Sequence, residues 1–352
     1  MNRPGRTVAV LAATTTLAAG VAALSDTGTR PGRAAPSALV ANVAALPGTR
    51  PAPGGVVPAA LAAPSLTRVK AGALVATEAP RPGIHPELGR AAPAAPTAAL
   101  PRPDHVVLVM LENKRYDAVI GDPHTPWVTS LANGGANLTR FYAETHPSQP
   151  NYLALFSGST QGVADNNCPH DLGAQPNLGQ QLASAGKTFV GYAEDLPAPG
   201  WKGCSKGRYV RRHVPWANFS NIPARSSRPF TAFPSDYRKL PTLAFVVPNL
   251  CHDMHSCPKA QGDAWLRKHF APYVAWATRH NSMFILTFDE DNKTDGNHIA
   301  TIIAGANVRP GRYASRVDHY YLLRTLQDMY GLRPTGYATR RTALTGLWTS
   351  AG

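Results

Sequence analysis

The sequence predicts an α/β protein, a three-layer α/β/α sandwich around a mostly parallel central sheet. Two observations carry that prediction. Short, continuous apolar runs recur beyond residue 100, and stretches with helical spacing lie between them. Runs that are apolar on both faces suit strands covered by helices on either side, and strand–helix alternation suits parallel pairing.

The elements follow in order. His105 opens the run His-Val-Val-Leu-Val-Met-Leu, a buried strand with the polar Glu112-Asn113 at its end. Residues 150–157 and 178–185 have helical patterns. The run 242–248 is the second strand, and 262–280 reads as a long helix. Residues 283–288 and 299–304 are two further apolar strands, and 319–330 closes the fold as a helix. In such a sheet, chemistry gathers at the carboxyl ends of the strands. No internal repeat is visible.

Composition agrees with a globular core: 43% of the 352 residues are hydrophobic and 16% charged. Collagen, coiled coil, small disulfide scaffold and polytopic membrane protein are excluded. Lysines and arginines number 35 against 21 acids, a net charge of +14. No basic run interleaves with aromatics and no DNA- or RNA-reading motif occurs, so no nucleic-acid partner is expected. The positive excess suits anionic substrates or membrane surfaces, although simple solvation of an exported surface is the commoner explanation.

The first 100 residues stand apart. Arg3 and Arg6 precede an apolar run of small residues to Leu24, with Ala22-Ala23 suited to cleavage. Residues 1–24 are therefore read as an export signal, with an uncleaved anchor as the alternative. Residues 25–100 carry Ala and Pro throughout and no Phe, Trp or Tyr, so they are expected to form a disordered spacer. The folded domain is expected over 101–352, outside the cell or tethered to its surface.

Four cysteines (Cys168, Cys204, Cys251, Cys257) in an exported chain imply two disulfides, with three possible pairings. Cys251 and Cys257 are close enough to close a small loop, which leaves Cys168 with Cys204. The rival reading is a metal site in Cys251-His-Asp-Met-His-Ser-Cys257, disfavoured because an oxidising compartment holds few thiolates.

Polar clusters sit just past three apolar strands: Glu112-Asn113, His252-Asp253-Met254-His255 and Asp289-Glu290-Asp291-Asn292. Together they bring carboxylates and imidazoles to one sheet edge. Such oxygen-rich sets suit Mg, Ca or Mn, and the added imidazole admits Zn. Ser148 stands before a helix start, where free N–H groups favour a phosphate, although a serine there is also the usual N-cap. His105, His124, His170 and His319 have no neighbouring ligand types and are read as structural or surface residues. Asp291 and Asp295 are read as solvated loop acids and His252 as structural. Glu194 and Asp195 are left outside the site.

The motifs Glu112-Asn-Lys-Arg-Tyr-Asp117, His146-Pro-Ser-Gln-Pro-Asn-Tyr152, Tyr209-Val-Arg-Arg-His-Val-Pro215, Asp253-Met-His255 and Phe288-Asp-Glu290 occur in one order. In that order the stretch 105–340 resembles the bacterial phosphoesterases of acid phosphatase and phospholipase C type, in the alkaline-phosphatase-like superfamily. Tyr192-Ala-Glu-Asp-Leu-Pro197 and Gln261-Gly-Asp-Ala-Trp-Leu266 resemble secreted mycobacterial members.

The resemblance implies a metal-dependent acid phosphatase that cleaves phosphate monoesters, phosphatidylinositol 3-phosphate among them, through a phosphoserine. It implies Ser148 as the metal-bound nucleophile and Glu112, Asn113, Asp289 and Glu290 as ligands of a divalent ion. Asn166 matches an amide that binds a phosphoryl oxygen. His213, Asp253, His255 and His298 match positions gathered around the phosphate, with Asp253 and His298 as further metal ligands and His213 and His255 as catalytic groups. The partners implied are a phosphomonoester and anionic lipid headgroups, for a monomer. A phospholipase C-type phosphodiesterase and a non-catalytic surface protein are the alternatives. The first is disfavoured because 101–352 leaves no room for the C-terminal domains many of those enzymes carry. Intact Ser148, Glu112 and Asp289 argue against the second.

Overall fold

The computed structural model describes residues 99–349. The export signal and nearly all of the spacer read from the sequence lie outside the described residues. The described residues form thirteen strands and five α-helices. The strands are β1 His105–Leu111, β2 Ala136–Leu138, β3 Phe141–Tyr142, β4 Phe189–Ala193, β5 Ser205–Lys206, β6 Tyr209–Val210, β7 Ser227–Pro229 and β8 Leu243–Val247. They continue with β9 Ser282–Phe288, β10 His298–Ile299, β11 Thr301–Gly305, β12 Gly311–Tyr313 and β13 Val317–Asp318. The helices are α1 Pro126–Gly134, α2 Ser148–Ser157, α3 Leu178–Ser184, α4 Lys259–Ala277 and α5 His319–Met329.

Eight strands form the main sheet in the order β12-β2-β11-β9-β1-β8-β4-β7. The five-strand block from β9 to β7 is parallel throughout, whereas β11 runs antiparallel to both β9 and β2. The central strands β1, β8 and β9 are buried at every residue but His105, as their both-face apolar sequences require.

The register separates the helices into two layers. Leu108 pairs with both Phe245 and Ile285, and Val107 pairs with both Ala244 and Phe284. Phe245 and Phe284 therefore occupy successive rows and point to opposite faces. Phe245 meets Phe156 of α2, while Phe284 meets Phe270 and Tyr273 of α4 and Trp127 of α1. Helices α1 and α4 thus cover one face. Helix α2 covers the other and packs against α3 and α5.

The run 299–304 departs from its expectation. It divides at Ala300: His298–Ile299 leaves the main sheet to pair with β3, and only Thr301–Gly305 joins β9. Alternation alone cannot report that change of partner. The Cys168–Cys204 and Cys251–Cys257 bridges are both formed.

Candidate active site

Parallel pairing sets the carboxyl ends of β9, β1 and β8 side by side, and the acids that follow them meet there. Glu112 N donates to Asp253 O at 2.9 Å, Asp289 N to Leu111 O at 2.9 Å, and Asn113 N to Asp289 Oδ1 at 3.0 Å. Asn113 turns through φ +50, a left-handed conformation that Asn tolerates better than most residues. The sequence thereby places Glu112, Asp253, Asp289 and Glu290 together, all buried.

Ser148 enters from the helix above. It is the first residue of α2, with Pro147 as N-cap and no side-chain capping bond. Its hydroxyl therefore does not cap the helix. It lies 3.1 Å from Glu112 Oε2 and 3.1 Å from Glu290 Oε1, only 2% exposed. Asn151 holds the approach in shape: its Oδ1 accepts from Glu144 N and Thr145 N, and its Nδ2 donates to Thr145 O. Asn166, an exposed loop residue, accepts from Gln149 N at 2.9 Å and so ties its loop to the helix start.

His213 follows the β5–β6 hairpin. The Arg211 guanidinium anchors that turn, bonding Asn218 Oδ1, Lys202 O and Asp171 Oδ1. The buried His213 ring stacks on Tyr152 at 5.3 Å between centroids. Its Nε2 lies 3.2 Å from Glu112 Oε1 and its Nδ1 3.5 Å from Asp253 Oδ2. Glu112, His213 and Asp253 offer ligand atoms that all lie within 4.8 Å of one another. His255 is exposed, with its ring 6.4 Å from that of His213 and its backbone N–H donating to Asp253 Oδ1.

His298, which the resemblance places at the site, is not brought into this group. Its Nδ1 faces Asp295 and its Nε2 faces Thr139 O, and its ring is sandwiched between Tyr116 and Tyr142. Both nitrogens are used, so the ring serves as a packing element. Asp291 also differs from expectation. It is buried, and its carboxylate accepts from the backbone of Lys293, Asp295 and Asn297, shaping the loop after β9. His252 is structural, stacked on Trp265 and bonded to Glu194.

Two contributors carry no separate role in the sequence reading. Tyr152 donates its hydroxyl to Glu112 Oε1, and His146 Nδ1 meets Glu290 Oε2 at 2.5 Å. Both sit in the quoted Ser148 motif. Their i+4 and i−2 spacing from Ser148 is the signal available, and it does not reveal which acids they reach.

Electrostatically the site is a buried concentration of negative charge. Burial, followed by repulsion from Asp289 and Asp253, pushes the Glu112 carboxyl well up. Asp289 is raised by burial and then by Glu290, while Asp253 and Glu290 are raised chiefly by burial. Burial holds the His213 imidazole well below its ordinary value, and the partial desolvation of the His255 ring and the Lys114 ammonium lowers theirs. Asn113 Oδ1, Asp253 Oδ2, Asp289 Oδ2 and both His213 nitrogens are buried without a hydrogen-bond partner. Orphaned acceptors of this kind are costly unless something positive meets them. Hard oxygen donors with one imidazole fit a divalent cation.

Comparison with known proteins gives a family match and several relatives. Residues 122–333 match the model of the Phosphoesterase family. The phosphatidylinositol-3-phosphatase of Mycobacterium tuberculosis is 51% identical over 253 residues, 71% of this chain and 85% of the relative. An acid phosphatase of Aspergillus fumigatus is 31% identical over 248 residues, and the match covers 65% of this chain and 55% of that protein. A solved alkaline phosphatase superfamily protein from Vibrio parahaemolyticus aligns with a TM-score of 0.48 at 12% identity, over 69% of this chain and 71% of that one. A family match across most of the described residues, joined to half-identity with a relative covered over 85% of its length, places the chain in the phosphoesterase family.

Proposed function

We propose that the protein is an exported, metal-dependent acid phosphatase that hydrolyses phosphate monoesters through Ser148, with phosphoinositides such as phosphatidylinositol 3-phosphate as substrates. The observation that carries the reading is the Ser148 hydroxyl, set at a helix start between Glu112 and Glu290 within unpartnered buried acids. The substrate class follows from the name of the mycobacterial relative. Glu112, Asn113, Asp289, Glu290 and Ser148, with the Asp253 carboxylate near, would hold a divalent cation, which when bound would lower the hydroxyl pKa and offset phosphate repulsion.

The chain's own groups do the rest. The Ser148 Oγ forms a bond to phosphorus as the ester P–O bond breaks, and the hydroxyl proton passes along one of its two carboxylate hydrogen bonds. Of the first backbone donors of α2, Gln149 N is held by Asn166 and Pro150 has no N–H, which leaves Ser148 N for a phosphoryl oxygen. Asn166 binds from the side with its amide Nδ2, since its Oδ1 is held by Gln149 N. His255, on the exposed rim, gives a proton to the departing alkoxide, and His213 behind it orients Glu112 and Asp253. The lowered imidazole pKa values fill the protonated forms only at acid pH. Water then cleaves the phosphoserine.

Residues 1–24 act as the export signal, 25–100 as a spacer and 101–352 as the catalytic domain, working outside the cell as a monomer. Two disulfides support that compartment. Among the described residues no helix is long and apolar enough to cross a membrane. The test follows, for the full chain with divalent metal, inorganic phosphate release from a soluble monoester and from phosphatidylinositol 3-phosphate, and alcohol release from a phosphodiester. Release from the two monoesters alone supports the reading, and release from the diester alone overturns it.

A further inference from the structure

A second surface shares the sheet edge with Ser148. Between residues 309 and 349 the sequence holds seven arginines and two acids, Asp318 and Asp328. Arg341 pairs with Asp318 and Arg324 with Asp328. Five arginines remain, and among the described residues none of the five forms an ion pair.

Three of them, Arg312, Arg316 and Arg340, lie among aromatic rings. Arg316 lies 3.6 Å from the centroid of Tyr142, and it shares a groove of about 390 Å³ with Arg312, Tyr321 and Thr342. Beyond that groove Arg341 covers Tyr321 and Tyr320, Tyr320 meets Tyr337 at 5.2 Å, and Arg340 lies over Tyr337 at 5.3 Å. Tyr337, 48% exposed, is the one exposed large hydrophobic residue among the described residues. The result is a continuous face of solvent-facing arginines on amphipathic rings, without an unpaired acid.

That face borders the segments that build the site. Tyr142 ends β3, six residues before Ser148. The β13–α5 junction is fixed by His319, whose Nε2 meets Phe288 O at 2.9 Å immediately before Asp289. A surface that receives the face therefore lies beside the carboxyl edge where Ser148 stands.

We propose that this arginine–tyrosine face docks the protein on anionic lipid bilayers and holds it at the headgroup plane. The chemistry is complementary on both counts: basic side chains are attracted to anionic leaflets, and tyrosine partitions to the membrane–water interface. The proposal extends the reading that the substrate is a membrane lipid, but it concerns adsorption, which does not require turnover.

The test is sedimentation of the full-length chain with vesicles of phosphatidylcholine containing increasing phosphatidylserine. Parent protein is compared with the triple variant Arg312→Gln/Arg316→Gln/Arg340→Gln and with Tyr337→Ala. Each basic group near an anionic surface is worth about fivefold in partitioning, so the triple variant should bind about a hundredfold more weakly. Parent binding should rise with phosphatidylserine and fall with salt, and Tyr337→Ala should weaken it several-fold. Residues 1–98 are common to all forms, so their contribution cancels. Equal melting temperatures and equal rates on a soluble monoester show that the variants are folded with an intact site. Equal binding by parent and triple variant overturns the proposal, as does parent binding that ignores phosphatidylserine. A parent that binds these vesicles yet releases no phosphate from any monoester overturns the catalytic reading alone.

Discussion

Ser148 and Glu112, 36 positions apart in sequence, meet through a 3.1 Å hydrogen bond from Ser148 Oγ to Glu112 Oε2. One stands at the start of a helix and the other at the end of a central strand, so the bond joins two layers of the fold. The acids gathered around it determine how the protein should respond to pH, metal and substitution.

Stability should depend on pH in a direction set by those acids. Unfolded carboxyls titrate near 4, whereas Glu112, Asp253, Asp289 and Glu290 hold their protons to higher pH when folded. As pH rises above about 4, the unfolded chain has fewer protons bound than the native one, so stability falls until the folded groups titrate. Chelator-treated protein should melt at progressively lower temperature from pH 4 towards neutrality. A saturating divalent cation should raise the melting temperature, and most strongly at the higher pH, because it favours the ionised acids. Calorimetry with and without chelator checks both trends.

Tyr152→Phe removes only the hydroxyl that donates to Glu112 and keeps the ring beneath His213. Groups that support metal ligands typically contribute about 10–100-fold in metal affinity. The variant should need about that much more divalent metal for half-maximal stabilisation. An unchanged midpoint in a thermal-shift titration would remove Tyr152 from the site's support.

Gly158 ends α2 at φ +80, where an added Cβ would come 2.2 Å from Thr335 O. The left-handed backbone costs an L-residue about 1–2 kcal/mol. The clash adds roughly 1–3 kcal/mol more. Gly158→Ala should therefore lower the denaturant midpoint clearly, whereas Gly162→Ala, in open space at a similar φ, should show the backbone cost alone.

Removing the Cys168–Cys204 bridge frees a loop of 36 residues beside the His213 turn. Loop closure of that length is worth about 3–4 kcal/mol. The double Cys→Ala variant should melt earlier and lose activity, since Arg211 would then hold the turn without the covalent link.

Much of this was legible in the sequence for physical reasons. A strand buried on both faces must be apolar throughout, so β1, β8 and β9 announce themselves, and the acids after them mark the carboxyl edge. Strand β4, with Gly191 against the Trp216 ring, is too short and mixed to stand out, and α1 carries little apolar spacing beyond Val128, Leu131 and Ala132. Tyr152 in a buried helix reads as core, because only the packed structure shows its hydroxyl reaching Glu112. His298 reads as a ligand only through the resemblance, and only the contacts with Asp295 and Thr139 show both ring nitrogens spent.

The central claim is that Ser148 is the nucleophile. The most direct measurement is inorganic phosphate release from a soluble monoester at acid pH, with divalent metal, by the parent and by Ser148→Ala. Loss of a nucleophile lowers turnover by about a thousandfold or more, while one lost hydroxyl changes stability by only about 1 kcal/mol. The account predicts a folded variant with no release above background. A folded variant that keeps substantial release would contradict it and move the chemistry to another group.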